Sequence, residues 1–197
     1  MLYEKAAQDP MDADAHAMVQ VQRGDLEAFE GLVRRCQGPL YAFFVRLGGS
    51  AADAEDLVQE TLLRVYKARE SFDPRRAFTP WLFGIARYVW ADYGRQRERA
   101  QATTARAVQE LAVSEAVTVR DAGEQALRPD VIRCVRESLH QLPEDHRLVL
   151  ILRHYQGLRY DEIAQALGLS VGTVKSRMHY ALAKLRVELR RRGLLEA

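Results

Sequence analysis

Two groups of side chains in this sequence have the types and the spacing to bind nucleic acid. The first group lies between Tyr160 and Arg177. There Gly168 can take the left-handed conformation that ends a helix, and Ser170 can cap the next helix. Ala164 is small enough to let the two helices approach closely. The segment therefore predicts a helix-turn-helix, a motif whose second helix enters the major groove of DNA by its N-terminal half.

The second helix of this motif has an apolar face and a polar face. We expect its inward residues to be Val174, Met178, Ala181, Leu182 and Leu185. Lysine and arginine can reach phosphates or guanine edges, and serine and threonine can serve either. The outward or flanking candidates for reading duplex DNA are Thr173, Lys175, Ser176, Arg177, His179 and Tyr180. A helical hairpin with a solvated face is the alternative, and Arg190 to Arg192 fit phosphate contacts and a soluble tail equally well.

The second group interleaves aromatic and basic residues. It runs from Phe72 to Trp81 and continues in Arg87, Tyr88, Trp90, Tyr93 and Arg95. Such a mixture suits unstacked bases on a phosphate backbone. The alternative is that the rings belong to a core, which we expect mostly for Trp81. The arginines are harder to bury and are the better candidates for nucleic acid: Arg75, Arg76 and Arg87.

An acidic face accompanies an apolar stripe on the helix that starts before Asp53. The stripe consists of Leu57, Val58, Leu62, Val65 and Tyr66, and the polar face holds Asp53, Glu55, Asp56, Gln59 and Glu60. Two interpretations are open: the acidic face is solvated, or it docks a basic protein surface.

Signs of enzyme chemistry are missing from the sequence. No spacing indicates a nucleophile with its base, a phosphate-binding loop or a metal site, so we expect no catalysis and no cofactor. The histidines are scattered, and Cys36 and Cys134 stand far apart, which favours free thiols in a reducing cytoplasm. Without an apolar run of roughly 20 residues or a signal-peptide core, the chain is expected to be soluble and cytoplasmic.

The pattern predicts an all-α fold of two small helical domains joined by a linker. A first helix is expected from near Ala17, with a pause at Arg23-Gly24-Asp25 and a break at Gly38-Pro39. Another helix is expected from Leu40 to an end at Gly48-Gly49. Ser50 and Asp53 predict a capping box. Thr79-Pro80 predicts another helix start, and Pro143 a break between two later helices.

Acidic and basic blocks alternate along the chain. Residues 1–60 carry 5 Lys and Arg against 11 Asp and Glu, whereas residues 61–99 carry 9 against 4 and residues 131–197 carry 12 against 7. Basic blocks suit a polyanion and acidic blocks a basic protein partner. We expect a tail (1–16), a first domain (17–98), a linker (99–129), a second domain (130–192) and a C-terminal tail (193–197).

Both halves resemble parts of one known family. The first half resembles region 2 of sigma-70 family proteins in Asp53 to Glu60, Ser71-Phe72, Phe78 and Trp81 to Arg87. The second half resembles region 4 in Leu142-Pro143-Glu144, Gly157-Leu158, Tyr160 to Ala164 and Val171 to Arg177. The two blocks follow each other across a short linker, as in the extracytoplasmic-function group.

The resemblance implies a task for each group of residues. Asp53, Asp56, Gln59 and Glu60 would bind the clamp helices of the largest RNA polymerase subunit. The melted minus-ten strand would be captured by Phe72, Arg75, Arg76, Phe78, Arg87, Tyr88 and Asp92. The minus-thirty-five duplex would be read by the outward residues of the helix-turn-helix. The flap region of the polymerase and an anti-sigma protein would be further partners. Tyr88 stands where many relatives carry Asn, whereas Asp92 matches a common acidic position.

The sequence thus predicts a sigma factor that directs promoter-specific initiation, with no covalent chemistry of its own. One alternative is a stand-alone helix-turn-helix regulator built like a response regulator. Its first half would then be a βα receiver, with strands that end in acidic residues. A further alternative is a protein that only binds partners, such as an anti-sigma factor or a scaffold.

Overall fold

The computed structural model describes residues 13–104 and 129–194, which form eight α-helices and one short 3₁₀ turn, with no strand in these ranges. The first half contains α1 (Ala13–Gln22), α2 (Leu26–Leu47), α3 (Ala51–Lys67), the 3₁₀ turn (Arg69–Ser71) and α4 (Phe78–Thr104). The second half contains α5 (Pro129–His140), α6 (Glu144–His154), α7 (Tyr160–Leu167) and α8 (Val171–Arg191). The all-α prediction is confirmed.

Local capping chemistry sets the ends of the helices in the first half. The Asp25 carboxylate accepts a hydrogen bond from Ala28 N at 3.0 Å and so caps α2. Gly48 ends α2 with a φ of 118°, a conformation that disfavours residues with a Cβ. Ser50 and Asp53 then form the predicted capping box at the start of α3.

The core joins both halves of the chain. Phe43, Phe44 and Phe83 are fully buried in the first half, and the same cluster of apolar side chains extends to Ile163 and Val174 of the second half. Helix α7 packs on α4, and the C-terminal end of α2 packs on α5 and α6. Arg147 of α6 crosses the junction and donates to the carbonyl oxygen of Leu47 at 2.6 Å.

Three details differ from the sequence-based expectation. Helix α1 begins at Ala13 rather than near Ala17, because Ala15 and Met18 are both buried. Gly38-Pro39 does not break α2, which runs through both residues. Leu182, expected in the core, is 41% exposed because α5 and α6 pack on the side of α8 that carries Ala181.

Helix α4 also departs from its predicted bounds. It begins at Phe78 rather than after a cap at Thr79, and it continues to Thr104, past the expected domain end at residue 98. Most of the predicted N-terminal tail and most of the predicted linker lie outside the described residues.

The helices of residues 13–104 settle one alternative. A response-regulator receiver needs a parallel sheet, whereas this range of the chain holds helices and turns without a strand. The regulator interpretation of the first half is therefore wrong. No helix among the described residues is long and apolar enough to cross a membrane.

Candidate nucleic-acid and protein interfaces

Helices α7 and α8 form the predicted helix-turn-helix. Gly168 ends α7 with a φ of 66°, and Leu169 N donates to Ala164 O at 2.9 Å. Ser170 Oγ accepts from Thr173 N at 3.0 Å and fixes the start of α8. Because Val174 is fully buried, the opposite side of the first turns of α8 faces outward.

The six predicted duplex-reading residues fall into two sets. Lys175, Ser176 and His179 are exposed on the outer face of α8. Within this set, the Ser176 hydroxyl donates to the carbonyl oxygen of Thr173 at 2.9 Å. The other three residues contact side chains of their own domain. Thr173 shares a hydroxyl hydrogen bond with Ser170, Arg177 pairs with Asp145 at 2.7 Å, and the Tyr180 ring lies 4.4 Å from the His146 ring. The first set thus projects toward solvent from the turns that enter a major groove.

The four predicted polymerase-binding residues of α3 also differ in their surroundings. Asp53 is half-buried, and its carboxylate accepts from Ser50 N at 3.1 Å. Burial raises the pKa of Asp53, but hydrogen bonds from Ser50 and Tyr93 outweigh it and hold the pKa below its ordinary value. Asp53 therefore has a structural task at the helix start.

The rest of this group forms an open surface. Asp56 and Gln59 are exposed, and Glu60 beside them pairs with Arg64 at 2.7 Å. Leu63, one turn further along α3, is 47% exposed. Sequence analysis did not single out Leu63, although its position off the apolar stripe is a readable signal. We call Asp56, Gln59, Glu60 and Leu63 the α3 surface.

An ion-pair network connects α3 to α4. Arg64 binds Glu60 on its own helix and Asp92 of α4, each at 2.7 Å, and Arg95 pairs with the same Asp92 carboxylate. The hydrogen bond from Arg64 lowers the pKa of Asp92. Asp92, predicted at the minus-ten surface, therefore also fixes α4 against α3, and Arg64 is a residue that sequence analysis missed.

The loop between the 3₁₀ turn and α4 has a buried aromatic base. Phe72 and Phe78 are 3% and 1% exposed, with ring centroids 5.8 Å apart. The partly buried Trp81 lies 5.1 Å from Phe72 and 5.8 Å from Phe78. As the structure places them, these rings anchor the loop from beneath, and neither phenylalanine presents a face for a base to stack on.

The tip of this loop is basic and exposed. Arg75 has a side chain that is 88% exposed and donates from Nε to Asp73 at 2.9 Å. Arg76 lies 3.6 Å from the same carboxylate. The hydrogen bonds from Arg75 lower the pKa of Asp73 to about 2. Two exposed guanidinium groups thus share the Asp73 carboxylate at the loop tip.

On α4, Arg87 and Tyr88 form a stacked pair. The Arg87 guanidinium carbon lies 4.2 Å from the centre of the Tyr88 ring, which is 58% exposed. Arg87 Nε is buried without a hydrogen-bond partner. An exposed ring backed by a cation can accept a stacked base.

Comparison with known proteins identifies both halves. Residues 32–100 match Sigma-70 region 2, and residues 132–185 match Sigma-70 region 4. The RNA polymerase sigma-H factor of Pseudomonas aeruginosa is 33% identical over 174 residues, which are 86% of this chain and 90% of that protein. The ECF RNA polymerase sigma factor SigW of Bacillus subtilis is 30% identical over 178 residues, 87% of this chain and 94% of that protein.

This chain belongs to the sigma-70 family. Its curated relatives place it in the extracytoplasmic-function group. Among solved structures, CnrH in complex with the cytosolic domain of CnrY has a TM-score of 0.68 at 30% identity and covers 91% of this sigma factor and 99% of CnrH. The sigma factor RpoE of Bartonella quintana was solved with the anti-sigma factor NepR. It has a TM-score of 0.69 at 28% identity, and the match covers 82% of this sigma factor and 96% of RpoE.

The matched regions do not include every helix of this sigma factor. Helix α1 precedes the region 2 match, although it packs on α2 and α4 and on the 3₁₀ turn. Three features lie inside region 2: the loop between the 3₁₀ turn and α4, the α3 surface, and the ion pairs of Arg64 with Glu60 and Asp92. The helix-turn-helix lies inside region 4.

Proposed function

We propose that this sigma factor binds core RNA polymerase and directs it to promoters that carry both a minus-ten and a minus-thirty-five element. One observation carries the proposal: a single chain presents an exposed acidic and apolar helix face in region 2 and, in region 4, a capped recognition helix with Lys175, Ser176 and His179 exposed. The sigma factor would position polymerase on the promoter and stabilise the open strand, without covalent chemistry of its own. It would do so in the cytoplasm, where polymerase and promoter meet.

In this proposal the α3 surface binds the clamp helices of the largest polymerase subunit. Leu63 supplies exposed apolar area beside polar side chains, a mixture common in protein interfaces. Asp56 and Glu60 supply charge that would attract a basic partner and raise the association rate. Asp53 supports the same surface by keeping the start of α3 folded.

The melted minus-ten strand would meet the loop tip and α4. Arg75 and Arg76 would contact its phosphates, and Tyr88, backed by Arg87, would stack on a base. Phe72, Phe78 and Asp92 would hold this surface in place through the aromatic base and the Arg64 network. Tyr88, in the position where many relatives have Asn, would favour stacking over hydrogen bonding at this base.

Region 4 would read the minus-thirty-five duplex. Lys175, Ser176 and His179 project from the second and third turns of α8, where base edges and phosphates would come within reach. Thr173, Arg177 and Tyr180 flank them. The Arg177 side chain would have to leave Asp145, or bridge it to the backbone, before it could bind a phosphate.

An anti-sigma protein is the partner we propose for regulation. Two solved relatives support it, since CnrH was solved with the cytosolic domain of CnrY and RpoE with the anti-sigma factor NepR. The exposed Leu63 and Tyr88 side chains are apolar area that such a partner could cover.

Run-off transcription tests the proposal. The full chain is added to purified core polymerase and fragmented genomic DNA, and the transcript starts are sequenced. We expect new starts that share two spaced upstream elements and that are absent with core alone. Sequence-specific DNA binding without polymerase association, or association without new starts, would contradict the proposal.

A further inference from the structure

The last residue of α1, Gln22, holds the start of the loop between the 3₁₀ turn and α4. Gln22 Nε2 donates to the carbonyl oxygen of Arg69 at 2.8 Å and to that of Phe72 at 2.9 Å. These acceptors are 47 and 50 residues away in the sequence. Gln22 is half-buried, so solvent does not replace these hydrogen bonds without cost.

The two carbonyls bracket the turn from which the loop departs. Arg69 opens the 3₁₀ turn that follows α3, and Phe72 N closes it by donating back to Arg69 O at 3.1 Å. The next five residues, 73–77, form the loop that carries Arg75 and Arg76, and its last three residues are exposed. The position of the turn therefore sets where the two arginines stand.

An amide is the side chain that this geometry requires. Its nitrogen carries two N–H donors and no charge, which matches two converging carbonyl oxygens. A carboxylate of the same shape has only acceptors and would face both carbonyls with a negative charge. An alanine would leave the carbonyls without these donors and release the turn.

We infer that Gln22 is a positioning residue for strand capture: it fixes the loop so that Arg75 and Arg76 meet the melted minus-ten strand. The inference rests on the function proposed above and extends it to α1, which lies before the region 2 match. Gln22 touches neither DNA nor polymerase in this scheme and acts only through the loop.

Binding of holoenzyme to a single-stranded minus-ten oligonucleotide tests the inference, with the promoter taken from the mapped starts. Gln22→Glu is expected to weaken this binding about fivefold to tenfold, as for the loss of a partly buried hydrogen-bond pair. Gln22→Ala should weaken it less. Core affinity should stay within about twofold of wild type.

Gln20→Glu is the matched control, because Gln20 lies on the same helix and its amide nitrogen lies 3.5 Å from His16 Nε2, within α1 itself. It should leave oligonucleotide binding unchanged. Thermal unfolding of all three variants shows whether a loss comes from a misfolded chain; core affinity that falls in step with oligonucleotide binding would overturn the inference.

A double-mutant cycle separates positioning from general damage. In an Arg75→Ala, Arg76→Ala background the arginines are already gone, so Gln22→Glu should cost little more. If Gln22→Glu weakened oligonucleotide binding in this background as much as in the wild-type background, the inference would be overturned. If wild-type holoenzyme makes no promoter-specific transcripts, the proposed function fails; if it makes them and Gln22→Glu binds the strand equally well, only this inference fails.

Discussion

Asp53 and Asp56 lie one turn apart on α3, yet their surroundings give them different tasks. The Asp53 carboxylate accepts from Ser50 N and is half-buried, whereas Asp56 is exposed. If the Asp53 carboxylate turned to a partner, the backbone N–H of Ser50 would lose its acceptor and the capping box would open. Only Asp56 is therefore open to a basic protein surface at no cost to the helix.

Alanine at each position should separate the two tasks. Asp53→Ala removes one half of the capping box and should lower the free energy of unfolding by about 1 kcal/mol. Asp56→Ala should leave the urea midpoint unchanged and weaken binding to core polymerase. Urea titration and a core-binding titration of both variants check this, and the reverse pattern would show that Asp53 is the interface residue.

Lys175 should matter for promoter recognition and Lys184 should not. Both lysines are exposed on α8, but Lys175 lies in its second turn, whereas Lys184 lies beyond Tyr180. Lys175→Ala should weaken holoenzyme binding to the minus-thirty-five duplex by about 1–3 kcal/mol, with core affinity unchanged. Equal losses for Lys184→Ala in the same gel-shift titration would mean that general charge, not position, drives binding.

Helix ends that depend on neighbouring residues were predicted correctly, whereas a helix interior that depends on distant contacts was not. The caps at Ser50, Gly168 and Ser170 were predicted because each depends on neighbours within a few residues. Pro39 was read as a helix break, since proline in a helix costs about 3 kcal/mol. Burial of Cys36, Leu40 and Phe43 on both sides of it outweighs that cost.

The candidate sites follow the same division. The helical period indicated the exposure of Lys175, Ser176 and His179, which depends on one helix alone. The Arg177–Asp145 pair and the burial of Phe72 depend on partners from other elements, which a single sequence does not identify.

Glycines at the middle and end of α2 should respond oppositely to alanine. A Cβ at Gly38 would meet open space, so Gly38→Ala should raise the free energy of unfolding by up to about 1 kcal/mol through helix propensity. Gly48 has a φ of 118°, so Gly48→Ala should destabilise by about 1–2 kcal/mol. Thermal and urea unfolding compare the pair, and a stabilising Gly48→Ala would contradict the assigned cap.

The junction of α2, α5 and α6 should be sensitive to acid through His140. The His140 ring lies near Gly48, and its Nδ1 is 3.2 Å from a guanidinium nitrogen of Arg147. Partial burial lowers the pKa of His140 below its ordinary 6.5, and the charges of Arg147 and Arg136 lower it further.

Because the folded state disfavours protonated His140, the unfolded chain takes up the proton first. The stabilisation is complete above about pH 6.5 and is lost as the pH falls through the lowered pKa. His140→Gln should flatten this loss, measured as urea midpoints from about pH 7.5 to about pH 5.5. Part of the pH dependence of the urea midpoint should remain, since burial lowers the pKa of His154 as well. An unchanged slope in the variant would exclude His140 as the sensor.

At the scale of the whole molecule, the packing of region 2 on region 4 and the binding of both promoter elements exclude each other. Helix α7 lies directly on α4 at Gly84, where an added Cβ would be 3.3 Å from the Ala166 carbonyl oxygen. Positions ten and thirty-five base pairs upstream are about 25 base pairs apart, which is roughly 80 Å along straight duplex at 3.4 Å per base pair. The two domains therefore have to separate on the promoter.

Gly84→Leu should shift the unbound protein toward the separated arrangement. The added side chain removes the close approach of α4 and α7, while α4 itself gains helix propensity. Gly94→Leu is the control, because Gly94 lies on the same helix with nothing within 4 Å of an added Cβ. A compact chain of 197 residues has a radius of gyration of roughly 16 Å. Small-angle scattering should give a larger radius for Gly84→Leu than for Gly94→Leu; equal radii would mean that the α4–α7 contact does not hold the domains together.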